Sequence, residues 1–136
     1  MKSIICDVDG TVAIRVNREP FEYDKVLDDV PNKPVVDLVN ALLKDNWKVF
    51  FVSGREDICR EDTILFLTNL FGSPIELYMR KKGDYRPDNE IKSEIFESMI
   101  KPFTSPAFVL DDRDRTVKMW RDEHNLPTFQ VSEGNF

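Results

Sequence analysis

The sequence predicts an α/β fold, a three-layer sandwich of Rossmann-like type with a central parallel sheet and helices on both faces. Two observations carry that prediction. Runs that are apolar without alternation, Ile4-Ile5-Cys6, Val49-Phe50-Phe51-Val52 and Ala107-Phe108-Val109-Leu110, read as strands buried on both sides, and stretches with helical spacing of apolar residues separate them. Each run also empties into a polar cluster: Asp7-Val8-Asp9-Gly10-Thr11, Ser53-Gly54-Arg55-Glu56 and Asp111-Asp112-Arg113. In parallel sheets ligands bind beyond the carboxyl ends of the strands. Three such clusters on neighbouring strands would therefore converge on one pocket.

The elements follow in order. The first strand ends in Asp7 and Asp9, which stand two residues apart and point the same way on an extended chain, before Gly10-Thr11 breaks the pattern. Residues 13–34 have mixed polarity and no sustained period, and we read them as a small flap over the site, because a connection this long in a compact domain is usually functional. Pro34 suits the first turn of a helix carrying Val35, Leu38, Val39, Leu42 and Leu43 and ending near Asn46. Trp47 to Val52 is the second strand, expected to stop at a polar turn from Ser53 to Glu56. Asp57 is expected to cap the next helix, with Ile58, Leu65, Leu67 and Leu70, which ends at Gly72. Ile75 to Met79 reads as a short strand and Arg80 to Asp88 as a charged loop. A helix from about Asn89 to Ile100 carries Ile91, Ile95, Phe96 and Met99, with Lys92 on its first turn. After the strand 107–110 come a helix with Val117, Trp120 and Arg121, then a last strand from Thr128 to Val131. Trp47 and Trp120 are expected to fill core or edge, and His124, the only histidine, to lie at the surface without a role.

A length of 136 residues fits a single domain with a true core, and 41% hydrophobic with 32% charged residues is a globular composition without repeats. The net charge of −6 argues against extended, non-specific binding of a polyanion, but leaves room for a local basic patch. Residues 78–86 offer one: Arg80, Lys81, Lys82 and Arg86 interleave with Tyr78 and Tyr85, basic groups with an aromatic platform that suits a few nucleotides. Met1-Lys2-Ser3 leads directly into a strand, with no signal-peptide core and no apolar run able to span a bilayer, so a cytoplasmic protein with no membrane partner is expected. Cys6 and Cys59 lack metal-type spacing and read as buried, reduced thiols, with no zinc site implied.

Two carboxylates as close as Asp7 and Asp9 repel unless a cation or a shared proton relieves them, and those are also needs of phosphoryl transfer. Hydrolysis of a phosphate monoester requires a nucleophile, a proton for the leaving oxygen and positive charge around the phosphoryl group. A carboxylate can attack phosphorus to give an aspartyl-phosphate that water later cleaves. Mg²⁺ is the expected cofactor, since it prefers oxygen ligands, and Asp111 and Asp112 can hold it opposite Asp7. Ser53 and the N–H of Gly54 can donate to phosphoryl oxygens, and Lys92 can neutralise the phosphate or the aspartates. Singly, each has a plainer reading as a helix cap, a turn or a solvated lysine. Their occurrence together, in this order, favours the site.

Asp7-Val8-Asp9-Gly10-Thr11 is similar to the DxDGT signature of the haloacid dehalogenase superfamily, and Ser53, Lys92 and Asp111-Asp112 match its later motifs in order. Arg18-Glu19-Pro20-Phe21, Val52 to Glu56, Ile91 to Phe96, Leu110 to Arg113, Met119-Trp120-Arg121 and Phe129-Gln130-Val131 further resemble the phosphatase domains of the bacteriophage polynucleotide kinase/3′-phosphatase family. The resemblance implies a fold of haloacid dehalogenase type, with Asp7 as nucleophile and Asp9 as acid and then base. It implies Mg²⁺ held by Asp7, the Asp9 backbone carbonyl and Asp111, with Asp112 in support. Gly10, Thr11, Ser53, Gly54 and Lys92 would serve the phosphate, and Arg18 and Arg55 would grip it or order the acidic groups. The implied substrates are 3′-phosphorylated polynucleotide ends and 3′-nucleotides, and the implied partner is a separate kinase or ligase. The 136 residues contain no GxxxxGK[ST] loop, so no kinase domain is expected, and the segment from Arg55 to Ile75 is shorter than in the phage enzymes. Two alternatives remain: a phosphatase of a small phosphorylated metabolite, and a phosphoacceptor signalling domain, against which Asp9 argues. A rate best at neutral or mildly acidic pH is expected if Asp9 must start protonated.

Overall fold

Continuous apolar runs make strands here because helices cover the sheet on both sides. The computed structural model describes residues 1–136, in the order β1 (Ser3–Cys6), β2 (Ala13–Ile14), β3 (Val30–Pro31), α1 (Lys33–Lys44), β4 (Lys48–Glu56), α2 (Arg60–Phe71), β5 (Glu76–Arg80), α3 (Asp88–Ile95), β6 (Phe108–Asp111), α4 (Asp114–His124) and β7 (Thr128–Gln130). Five of the strands form a parallel sheet in the order β5-β4-β1-β6-β7. The expected α/β class is the observed one. Because β1 lies between β4 and β6, the three polar clusters sit on adjacent strands at one edge of the sheet.

Side-chain alternation divides the core between the two faces. Ile4, Cys6 and Val8 pack with Val35, Val36 and Val39 of α1 and Phe66 and Leu67 of α2. Ile5, between them in sequence, packs on the other side with Phe96, Ile100, Met119 and Trp120. Each such side chain, fully buried, contributes roughly 1.5–3 kcal/mol, so this double cladding holds the strand ends in place with little freedom.

Several local expectations are corrected. Ser53 to Glu56 is not a turn: β4 runs on through Glu56 against β5, with a register irregularity between Ser53 and Glu56. Polar residues persist in this strand because its end borders the site, where other polar groups satisfy them. Asp57 does not cap a helix; a 3₁₀ turn, Asp57–Cys59, intervenes, and the Asp57 carboxylate accepts from the Lys82 backbone N–H at 3.1 Å. Lys92 is the fifth residue of α3 rather than in its first turn, and α3 loosens into a π turn over Phe96–Ile100. His124 is half-buried rather than at the surface: its ring shares a hydrogen bond with Ser93 Oγ at 2.7 Å, and only 5% of its side chain is exposed.

The 13–34 connection is folded back onto the domain. β2 and β3 pair antiparallel, a 3₁₀ turn spans Tyr23–Asp28, and Val26 is fully buried beneath it. Arg18 and Asp29, both charged, are buried as well.

Candidate active site

At the carboxyl ends of β1 and β6, Asp7, Asp111 and Asp112 are all buried, and one carboxylate oxygen from each lies within 4.8 Å of the others. Lys92 reaches this group from α3, donating to Asp7 Oδ1 at 2.6 Å and to Asp111 Oδ2 at 3.1 Å. Its side chain is 2% exposed, so the reading of a solvated lysine fails. Three carboxylates against one ammonium leave an excess of negative charge. Burial, and then the neighbouring Asp111, push the Asp7 carboxyl well above the usual range, although Lys92 pulls it down. Asp112 is raised too, chiefly by burial. Burial alone would lower the Lys92 pKa, but Asp111 and Asp7 hold it charged and above its ordinary value. A buried oxygen-only donor set with excess negative charge fits a hard divalent cation.

Supporting contacts fix these carboxylates. Thr11 Oγ1 donates to Asp7 Oδ2 at 2.9 Å, which orients the Asp7 carboxylate. Asp111 Oδ1 accepts the Asp112 backbone N–H at 2.8 Å, and Trp120 Nε1 donates to Asp111 Oδ2 at 3.2 Å. Trp120 thus does more than fill the core. Gly10 has φ +79°, and a Cβ there would lie 2.1 Å from Asp112 Oδ2. The missing side chain leaves room for the Asp112 carboxylate.

Asp9 leaves β1 in another environment. Its carboxylate is not part of the acidic cluster. Arg55 donates to it through Nε at 3.0 Å and Nη2 at 2.8 Å, and Arg18 Nη2 donates at 3.0 Å. Burial raises the Asp9 pKa, but the hydrogen bonds and charge of Arg55, then of Arg18, outweigh it, and the net shift is downward. That direction runs against an Asp9 that starts protonated.

Behind both arginines sits Asp29, which the sequence did not single out. Its carboxylate accepts from Arg18 Nε at 2.9 Å, Arg18 Nη2 at 2.8 Å and Arg55 Nη2 at 2.8 Å. The Arg55 guanidinium is completed by Thr63 Oγ1 at 2.9 Å. Arg18 is no solvated loop residue. The available signal was the presence of both charges, Arg18 and Asp29, in one connection of otherwise mixed polarity.

Asp7, Asp9, Arg55, Lys92, Asp111 and Asp112 floor a cleft of about 690 Å³. Gly54 lines it, with its backbone at the tip of β4, while Ser53 is buried with its Oγ accepting the Arg55 backbone N–H at 3.1 Å. A Cβ at Gly54 would lie 2.0 Å from Asp88 Oδ1, so any side chain there would displace the Asp88 carboxylate. Asp88, a further residue the sequence did not mark, pairs with Arg80 at 2.8 Å and Arg113 at 3.3 Å. Of the basic 78–86 segment, Arg80, Tyr85 and Arg86 line the cleft; Tyr78 does not, and its hydroxyl donates to Glu76 at 2.6 Å. Arg15, Arg113 and Arg115 line the cleft from other elements.

The sequence pattern of the family described as "Polynucleotide kinase PNKP phosphatase domain" matches residues 1–136. A "Putative bifunctional polynucleotide kinase/RNA ligase" of Autographa californica nuclear polyhedrosis virus is 32% identical over 133 residues, covering 96% of this chain and 19% of the viral protein. Among solved structures, a chain of the Pnkp1/Rnl/Hen1 RNA repair complex superposes with a TM-score of 0.94 at 40% identity, covering 99% of this chain and 43% of that one. The D,D-heptose 1,7-bisphosphate phosphatase of B. bronchiseptica, solved with magnesium and phosphate, superposes at 0.64 with 15% identity, covering 96% and 80% of the two chains, and shares the fold alone. The chain thus spans less than half of the viral protein and of the repair-complex chain. With the family pattern running its whole length over an α/β sheet of this topology, the chain belongs to the polynucleotide kinase PNKP phosphatase domain family of the haloacid dehalogenase superfamily.

Proposed function

We propose that this chain hydrolyses the 3′-phosphate of polynucleotide ends, and of 3′-nucleotides, through an aspartyl-phosphate on Asp7. The observation that carries the reading is the division of two aspartates only two residues apart: Asp7 shares a buried cluster with Lys92, Asp111 and Asp112, while Asp9 is held separately by Arg18 and Arg55. Environments this different suit two different tasks.

In the first step the Asp7 carboxylate attacks phosphorus, the bond from phosphorus to the ribose O3′ breaks, and O3′ takes a proton from Asp9. In the second, Asp9 accepts a proton from water, the resulting hydroxide attacks phosphorus, and the bond to Asp7 breaks to release inorganic phosphate. The Gly54 N–H and Lys92 serve the phosphoryl oxygens, with Ser53 shaping the strand tip beside them. Mg²⁺, when bound, would neutralise the carboxylate excess and the charge gathering on the phosphoryl group. Asp7, the Asp9 backbone carbonyl and Asp111 would hold it, supported by Asp112.

The lowered pKa of Asp9 has a consequence for pH. The proton that O3′ needs must enter with the substrate, as the monoanion of the phosphate, whose second pKa is roughly 6. Values of kcat/KM are expected to fall about tenfold per pH unit above that point; a rise toward pH 9 would contradict the mechanism. Asp9→Asn can neither receive nor deliver this proton, and kcat is expected to fall about 10²–10⁴-fold.

Trp120→Phe tests the support of the cation. Phenylalanine keeps an apolar ring in the core, though a smaller one, and the bond to Asp111 Oδ2 is lost. Residues that orient a metal ligand are typically worth about 10–100-fold in affinity. Mg²⁺ binding measured by calorimetry is expected to weaken by that order, with the melting temperature lowered by a few degrees for the core volume lost.

The substrate assignment is tested by phosphate release with Mg²⁺ from a 3′-phosphorylated oligonucleotide and its 5′-phosphorylated isomer. Strong preference for the 3′ end is expected; equal, weak release from both would refute it. The product carries the 3′-hydroxyl that a nucleic-acid ligase requires, and a kinase or ligase partner is proposed on that ground. The names of the viral relative and of the RNA repair complex are compatible with it. No helix is long and apolar enough to cross a membrane.

A further inference from the structure

Two aromatic rings stand on the rim of the cleft with most of their surface in water: Phe21 is 80% exposed and Tyr85 84%. Single exposed apolar side chains are ordinary. These two share one cleft, and the backbone that carries each is clamped by an arginine that also touches the site.

Phe21 lies in the flap. Arg18 Nη1 donates to the Pro20 carbonyl at 3.1 Å and the Glu19 carbonyl at 3.4 Å, while Nη2 of the same residue donates to Asp9. The Glu22 carboxylate closes the turn by accepting the Glu19 N–H at 2.8 Å. Tyr85 lies between β5 and α3. Arg80 Nη1 donates to the carbonyls on either side of it, those of Asp84 and Arg86, while Arg80 Nε donates to the Gly54 carbonyl at 2.7 Å. Each ring is thus largely in water, while the backbone beneath it is tied to the site, that of Phe21 to Asp9 through Arg18 and that of Tyr85 to the tip of β4 through Arg80.

An exposed ring on an anchored backbone, beside a cleft lined by arginines, suits recognition of stacked bases, because every base offers a π face. We infer that Phe21 and Tyr85 form a base-stacking subsite: Phe21 takes the base of the terminal nucleoside, whose O3′ leaves toward Asp9, and Tyr85 takes the preceding base. This rests on the proposed reading of the cleft as a site for polynucleotide 3′-phosphate ends. It adds what holds the strand there without regard to sequence.

The test compares kcat/KM for three substrates: a 3′-phosphorylated hexanucleotide, a 3′-mononucleotide and base-free glycerol 2-phosphate. The readout is each nucleotide's ratio to glycerol phosphate in the wild type, Phe21→Ala and Tyr85→Ala. Phe21→Ala is expected to lower the ratio for both nucleotide substrates by about 5- to 100-fold, the size of one lost base stack, with the loss in KM. Tyr85→Ala is expected to lower the ratio for the hexanucleotide only. Phe21→Trp and Tyr85→Phe, which keep a π face, are expected to restore it. Unchanged ratios in both alanine variants, in an enzyme that does prefer the hexanucleotide, would overturn the subsite. A wild type that shows no preference for the hexanucleotide over glycerol phosphate would instead overturn the underlying reading of the substrate.

Discussion

Asp7→Asn is expected to abolish phosphate release, with a fall in kcat on the order of 10⁴-fold or more. The amide is close in size to the carboxylate and keeps an oxygen to accept from Lys92 or Thr11, so packing around it changes little. It cannot displace a ribose oxygen from phosphorus, and no other group is placed to substitute. Asp111 is tied to Lys92, Trp120 and the Asp112 backbone N–H. Asp9 is turned toward the two arginines. Removing one negative charge from a crowded acidic group also relieves repulsion, so the variant should melt no lower than the wild type. Rapid-quench denaturation after mixing with radiolabelled substrate supplies a second readout: acid-stable label on the wild-type chain, and none on Asp7→Asn. Turnover near the wild-type rate in this variant would remove Asp7 from the chemistry.

Asp29→Ala is expected to carry the largest loss of stability. The Asp29 side chain has no exposure and accepts three hydrogen bonds from two buried guanidinium groups. Breaking a buried ion pair by removing one partner typically costs about 3–5 kcal/mol, because the remaining charge stays desolvated and unpaired. Here two arginines would be left with Asp9 as their only carboxylate. In a domain of this size the melting temperature should drop on the order of 10 °C. Asp28→Ala, at the exposed neighbouring position, should move it by about 1–2 °C at most. The sign of the pH dependence follows from Asp9. Its folded pKa lies below the ordinary value, so its contribution to stability is full above that value and is lost as pH falls through the folded pKa. The wild type should therefore weaken in the acid range below about pH 4, and in Asp9→Asn that share of the weakening should vanish. A melting temperature for Asp29→Ala within a degree or two of the wild type would show that Arg18 and Arg55 are held by other means.

Much of the fold was legible because its signals are local. Ile4-Ile5-Cys6 and Val49 to Val52 are apolar at consecutive positions, a pattern that only a strand covered on both faces satisfies, and the helical stretches between them require parallel pairing. The polar residues at the ends of those strands were legible for the same reason: Asp7, Asp9, Asp111 and Asp112 interrupt patterns that would otherwise continue. What local pattern could not supply was the end of β4. Ser53 to Arg55 reads as a turn by composition, and remains a strand because β5 and the Arg80 side chain satisfy it.

The sequence by itself determined the chemistry on offer: carboxylates at adjacent strand ends, a lysine and two arginines within reach, and the order of elements that brings them together. Only the tertiary structure decided how those charges are shared. It buried Lys92 between Asp7 and Asp111, gave Asp9 to Arg18 and Arg55, and recruited Asp29 from the flap and Trp120 from α4. The reason is physical. Strand and helix depend on neighbours a few residues away. The pairing of buried charges depends on which groups share a volume from which water is excluded, and those groups lie as far apart in the chain as Asp7 and Lys92.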